Sequence, residues 1–142
     1  MEEVLEYLEM KNHYYEKFYS ITEKFLKQAK KDQWEDMTFF VDNRERLLNI
    51  IRSLDHKIAR VFKEARISDR EMHNYKLKVQ KLMDRRKELG EKIVALDLQL
   101  ISKIDQMKSD TIRDLKRNLE TNQQLENFQR SAQIKRLKTQ DV

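Results

Sequence analysis

The segment NRERLLNIIRSLDHKI, residues 43–58, sets Leu47, Leu48, Ile51, Leu54 and Ile58 three and four residues apart among charged neighbours. On a helix these positions share one side, and Arg46, Asn49, Arg52 and Lys57 occupy others. Such a segment is built to lie against something. The same spacing extends backward through Met37, Phe40, Val41 and Arg44 and forward through Val61, Phe62 and Ala65, which predicts a helix over 33–66.

Both ends of this helix carry boundary signals. Downstream, RISDREM (66–72) reads as a capping box, with Ser68 bonding the Glu71 amide and the Glu71 side chain reaching back. Upstream, Lys30 and Lys31 suit the negative end of a preceding helix; Asp32 is then a candidate N-cap with Glu35 three residues on, and Trp34 pins the first turn. The preceding helix has its own stripe: Val4, Leu8, Lys11, Tyr15, Phe18, Thr22, Phe25 and Ala29, widened by Tyr7, Tyr14 and Ile21. It spans roughly 30 residues, about 45 Å.

A third helix begins after Ser68, with a stripe of Met72, Tyr75, Val79, Leu82, Arg86, Leu89, Ile93, Leu96 and Leu100. Gly90 is the one candidate break. The register passes it unchanged, and a mid-helix glycine costs only about 1 kcal/mol relative to alanine, so the helix is expected to continue. Further apolar positions follow at Ile104, Met107, Ile112, Leu115, Leu119, Leu125 and Phe128.

Composition narrows the fold class. The 142 residues include no proline and one glycine, which leaves little material for tight turns. Charged and hydrophobic residues each make up 39%, a mixture suited to long helices with a narrow apolar face. Low hydropathy with high charge is also a signature of disorder, but the periodicity opposes that for most of the chain. No cysteine is present, which excludes disulfides, thiolate metal ligands and a cysteine nucleophile. MEEVLEYLEM is acidic and helical in pattern rather than signal-like, and no apolar run approaches membrane-spanning length. A cytoplasmic protein without membrane insertion is the expectation.

Short connections place successive helices antiparallel. The expected architecture is all-α: an antiparallel helical hairpin, extended to a three-helix coiled-coil bundle, with a long C-terminal helix. A scaffold over 1–102 uses up the first two helices, and 103–142 forms a helical overhang with a basic tail. An amphipathic helix with a bare apolar face needs a cover. The candidates are a second copy of the chain, a different protein, or a fold-back onto the scaffold. Ile104, Met107, Ile112, Leu115, Leu119, Leu125 and Phe128 are therefore the candidate partner-binding residues.

The net charge of +5 is uneven. Residues 1–66 carry 13 basic and 13 acidic groups, whereas 67–142 carry 17 and 12. Arg130, Lys135, Arg136 and Lys138 form a cluster without an intervening acid, read first as a solvated basic helix end and second as a steering patch for acidic partners.

Residues suited to catalysis are scattered. His13, His56 and His73 lie too far apart in sequence for a helical metal pair or dyad. One glycine cannot build a phosphate loop, and no serine sits in a nucleophile-elbow context. Neighbouring carboxylates such as Glu2 with Glu3, or Asp69 with Glu71, read as helix N-terminal anions. Tyr7, Tyr14, Tyr15, Phe18, Tyr19 and Phe25 have core spacing rather than that of a base-stacking platform. Met107 has the adaptability of a binding surface. No enzyme activity, cofactor or metal is expected.

In its order of Arg44, Leu47, Leu48, Ile51, Leu54, Asp55 and Ile58, the opening segment resembles the second helix of flagellar type III export chaperones of the FlgN/FliT group. FLKQAKKDQWEDM (25–37) resembles the approach to that helix, and ALDLQLISKID (95–105) with NQQLENFQRS (122–131) resembles the C-terminal half. The resemblance implies a small cytoplasmic helical protein that holds the C-terminal helices of an exported filament-cap or hook-junction protein. It would deliver them to export-apparatus components, with the C-terminal half as contact surface. Two other readings differ in class. A structural coiled coil or stalk predicts a stable homo-oligomer, and a basic nucleic-acid binder, the least favoured, predicts affinity that falls steeply with salt.

Overall fold

The computed structural model describes residues 1–140, with side chains through Arg136. Three helices account for nearly all of them, α1 (Glu2–Lys30), α2 (Met37–Glu64) and α3 (Asp69–Gln140), and no strand occurs among the described residues. Among those residues no helix is long and apolar enough to cross a membrane. The chain divides into two compact units, Met1–Ile101 and a second that starts at Ser102.

α1 begins with Glu2 and Glu3 and ends with Lys27 and Lys30, charges that complement the helix dipole at each end. Its termination differs from the expectation drawn from sequence. The Gln33 N–H donates to the Gln28 carbonyl at 2.9 Å and the Asp32 N–H to Ala29 at 3.0 Å, with Asp32 at φ 56°. These two bonds form a Schellman motif in which Asp32 supplies the left-handed residue. Aspartate tolerates that conformation better than most non-glycine residues. Asp32 therefore closes α1, and the residue at the N-cap of α2 is Asp36.

The motif takes up Asp32 and Gln33, so α2 starts at Met37 rather than at 33. Met37 N–H donates to the Trp34 carbonyl at 3.1 Å, and Phe40 N–H donates to Asp36 at 2.8 Å. Trp34 packs edge-on against Phe25, with ring centroids 6.0 Å apart. α2 ends at Glu64 rather than 66. Val41, Phe62 and Ala65, all placed on the core stripe by spacing, are exposed at the edge of the buried face.

At the start of α3 the Ser68 hydroxyl accepts the Glu71 N–H at 3.2 Å, the Ser68 half of the expected box. The helix then runs unbroken through Gly90, where an added Cβ would meet nothing within 4 Å.

Within the first unit, cross-helix pairs give the directions. Lys11 pairs with Asp55, and Phe25 stacks on Phe40 with centroids 4.2 Å apart, so α1 and α2 run in opposite directions. Asn12 Nδ2 donates to the Leu82 carbonyl at 3.0 Å and Arg85 pairs with Glu16 at 3.3 Å, at sequence separations of 70 and 69. The near-constant offset means that this part of α3 runs parallel to α1. The core draws on Val4, Phe18, Phe25, Leu26 and Ala29 from α1, Phe40, Ile51 and Leu54 from α2, and Leu89, Ile93 and Leu100 from α3.

Polar positions on these faces are satisfied in place. Thr22, fully buried, donates its hydroxyl to the Phe18 carbonyl at 2.8 Å. Arg44 donates two bonds to Asp97, at 2.6 and 2.9 Å, and its guanidinium lies 4.3 Å from the Phe18 ring centre. A planar fork can meet both carboxylate oxygens while stacking on an aromatic face, which lysine cannot do. Among the described residues no buried side-chain nitrogen or oxygen lacks a hydrogen-bond partner.

Candidate partner-binding face

α3 continues from Ser102 as helix because its residues are strong helix formers with frequent charges of both signs. Arg113 and Asp110 pair one turn apart at 3.5 Å. Thr111 and Thr121 donate their hydroxyls to the carbonyls of Met107 and Arg117, each at 2.9 Å. Neither the pairs nor the threonine bonds cover apolar surface. Ile112, Leu115, Leu119, Leu125 and Phe128 are all exposed, Phe128 to 73%, while Ile104 and Met107 are half-buried.

At about 100° per residue, Ile104, Met107, Ile112, Leu115 and Leu119 share an arc of about 140°. Past the polar run Thr121, Asn122, Gln123 and Gln124, Leu125 returns to the edge of that arc, in line with Met107, and Phe128 lies about 60° beyond it. Six of the seven candidate residues thus share one arc, interrupted along the helix at 121–124, and Phe128 stands to one side of it. Ile134, exposed at 53%, lies on a further side and was not among them. Lys138 of the basic cluster lies outside the residues whose side chains are described.

Sequence reasoning also passed over Val94, Leu98 and Ile101, which are exposed on the first unit's part of α3. Their neighbours Ile93 and Leu100 are buried there. The signal was present in the spacing of four and three, but it was masked by the stronger stripe through Leu89 and Ile93.

The first unit also has open grooves. Tyr14, Ile21, Leu47 and Ile50 line one between α1 and α2, with Glu16, Lys17 and Arg46 at its rim. A second joins Tyr15 of α1 to Arg86, Gly90 and Val94 of α3, and a third lies beside Phe25, Phe39 and Phe40. Ser20, His13 and Glu16 also line the first groove, but no hydrogen bond joins Ser20 to either. His13, His56 and His73 are all exposed, and no group of three His, Cys, Asp or Glu residues among those described could hold a metal ion.

Perturbed ionisable groups belong to surface pairs. The Tyr19 phenol is pushed up by its hydrogen bond to Glu23 and by partial loss of water, and the same bond, with Lys27 at 3.3 Å, holds the Glu23 carboxyl down. Tyr7 is raised by partial loss of water and by the bond it donates to Glu3 at 3.2 Å. Lys92, hydrogen-bonded at 3.2 Å, and Arg85 hold Glu88 down. These groups lie on helix surfaces and form no site together.

What the geometry offers is contact chemistry: a long helix whose apolar residues stand in solvent between charged ones. Comparison of the chain with protein-family models, with curated proteins and with solved structures gives no match.

Proposed function

We propose that this chain is a cytoplasmic binding protein of the export-chaperone type, in which the C-terminal part of α3 receives a client helix. The observation that carries the reading is the exposure of Ile112, Leu115, Leu119, Leu125 and Phe128 on one helix. Helix-in-groove and helix-on-helix recognition uses anchors at such spacings, and a few buried apolar or aromatic anchors dominate the affinity. The basic cluster around Arg130 would steer an acidic client. The client class, exported filament-cap or hook-junction proteins delivered to export-apparatus components, follows from the resemblance of residues 43–58 and 122–131 to the FlgN/FliT group.

The test titrates the full chain with peptides covering the C-terminal helices of the filament-cap and hook-junction proteins of the source organism. Binding is expected, with Leu125→Asp plus Phe128→Asp weakening it by at least about tenfold, because a charge would have to be desolvated in an apolar contact. Absence of binding to any of these peptides would overturn the client class. Equal binding by the double variant would remove Leu125 and Phe128 from the contact.

A further inference from the structure

The first unit keeps a trough that its part of α3 does not cover. Tyr14, Ile21, Leu47 and Ile50, all half-buried, form the floor of the groove between α1 and α2, which holds about 680 Å³. Ile21 and Asn43 also line the groove beside Phe25, Phe39 and Phe40, so the two grooves run into each other along the hairpin. Neither is lined by a residue of α3. On α1 the trough side, through Tyr14, Ile21 and Gln28, faces away from Asn12 and Glu16, which meet α3. From His13 to Gln28 the trough follows about 22 Å of helix, and Phe39, 69% exposed, stands at one end.

The rim is basic. Lys17, Lys24 and Arg46 are exposed along it, and none of them forms an ion pair with a carboxylate among the described residues; Lys17 lies over the Tyr14 ring at 5.3 Å. The two acids of the lining are answered within the chain. Glu16 meets Arg85 at 3.3 Å, and Asp36 sits at the N-cap of α2, the positive end of that helix. An apolar floor is thus bordered by three cations that lack an anion.

We infer that this trough is a docking site for an acidic amphipathic helix of a partner protein, lying along both α1 and α2. A channel between two antiparallel helices runs along their axes, and a further helix fills it with anchors three and four residues apart. Carboxylates flanking those anchors reach Lys17 and Lys24 on one bank and Arg46 on the other. A second copy offering the same face would set these cations against their own kind. Residues 103–142 of the chain, with nine basic and six acidic groups, carry the wrong sign as well. A flat bilayer does not reach Leu47 and Ile50 on the floor of a concave trough. No residue of 103–142 takes part, so the inference goes beyond the proposed client face and stands without it.

The test is fluorescence anisotropy of a labelled peptide of about 18 residues, with leucine at the anchor spacing and alanine and glutamate elsewhere, titrated with the full chain. The glutamate peptide is expected to bind, and a counterpart with lysine for glutamate to bind at least about tenfold more weakly. Lys17→Glu, Lys24→Glu and Arg46→Glu combined are expected to reverse that preference, and Phe39→Asp to weaken the glutamate peptide by at least about tenfold. Leu125→Asp with Phe128→Asp is expected to leave its binding unchanged, which separates the trough from the client face. The substituted side chains are all exposed, and helicity by circular dichroism confirms that each variant has folded. No binding at about 100 μM chain, equal binding of the two peptides, or loss of binding in the Leu125 and Phe128 variant but not in Phe39→Asp would each overturn the inference. Binding of phosphatidylserine vesicles in place of the peptide, or a dimer in sedimentation equilibrium that Phe39→Asp dissociates, would overturn it too.

Discussion

Leu89 and Leu119 lie on the same helix in similar local sequence, yet Leu89 is 2% exposed and Leu119 62%. In the first unit, α1 and α2 bring Phe18, Leu26, Ile51 and Leu54 into a shared core with Leu89 and Ile93. From Ile112 onward the same kinds of residue recur at helical spacing and Ile112, Leu115, Leu119, Leu125 and Phe128 are exposed. An amphipathic face is therefore a requirement for burial, and whether it is met inside the chain depends on how much helix is available to cover it.

The largest expected effect breaks the comparison at its buried end. Leu89→Ala should cost about 2–5 kcal/mol in urea unfolding, the usual range for a truncated core leucine. Phe128→Ala, with a larger side chain removed, should stay within about 0.5 kcal/mol because Phe128 is 73% exposed. Equal effects of the two would mean that Phe128 is covered by the chain itself.

A smaller effect is expected where charge enters the first unit. Arg44→Lys keeps the cation but loses the second bond to Asp97 and the stacking on Phe18, so a loss of about 1–3 kcal/mol should appear in the same measurement. A double-mutant cycle with Asp97→Asn would show whether that loss runs through the pair.

Gly90→Ala should raise stability by about 0.5–1 kcal/mol, since the position is helical and an added Cβ meets nothing. A destabilising result would place a bend or a close neighbour at Gly90.

The smallest effect is electrostatic. Glu23 and Glu88 have depressed folded pKa values, so they stabilise the first unit above the ordinary carboxylate range. That contribution should disappear as pH falls through their folded values, and it should be reduced in high salt because both pairs are at the surface. Thermal midpoints of Glu88→Gln and wild type should converge at low pH and separate toward neutrality.

Residues 43–58 were sufficient to place a helix with one apolar side, and Ser68 marked the start of the next, because helical periodicity and capping are local properties of the chain. The absence of proline and the single glycine settled the fold class for the same reason. The connection between α1 and α2 was misread from sequence. An aspartate before a helix looks like an N-cap, and only the backbone bonds of Asp32 and Gln33 reveal that it ends the helix before it. The candidate face was legible as a set of apolar residues, but that Ile104 and Met107 are half-buried while Ile112, Leu115, Leu119, Leu125 and Phe128 are exposed appears only in the structure.

The sequence by itself determined that this chain is helical, that a helix starts just after Ser68, and that α3 carries more apolar surface than one stripe requires. Tertiary structure decided which surface is inside. Two lines, one through Leu89, Ile93 and Leu100 and one through Val94, Leu98 and Ile101, are both compatible with a buried helix face. The registry set by Asn12 on Leu82 and Arg44 on Asp97 turns the first toward α1 and α2 and leaves the second exposed. Periodicity follows from bonds between residues four apart, whereas the choice of face depends on contacts some 50–70 residues distant, which no local pattern encodes.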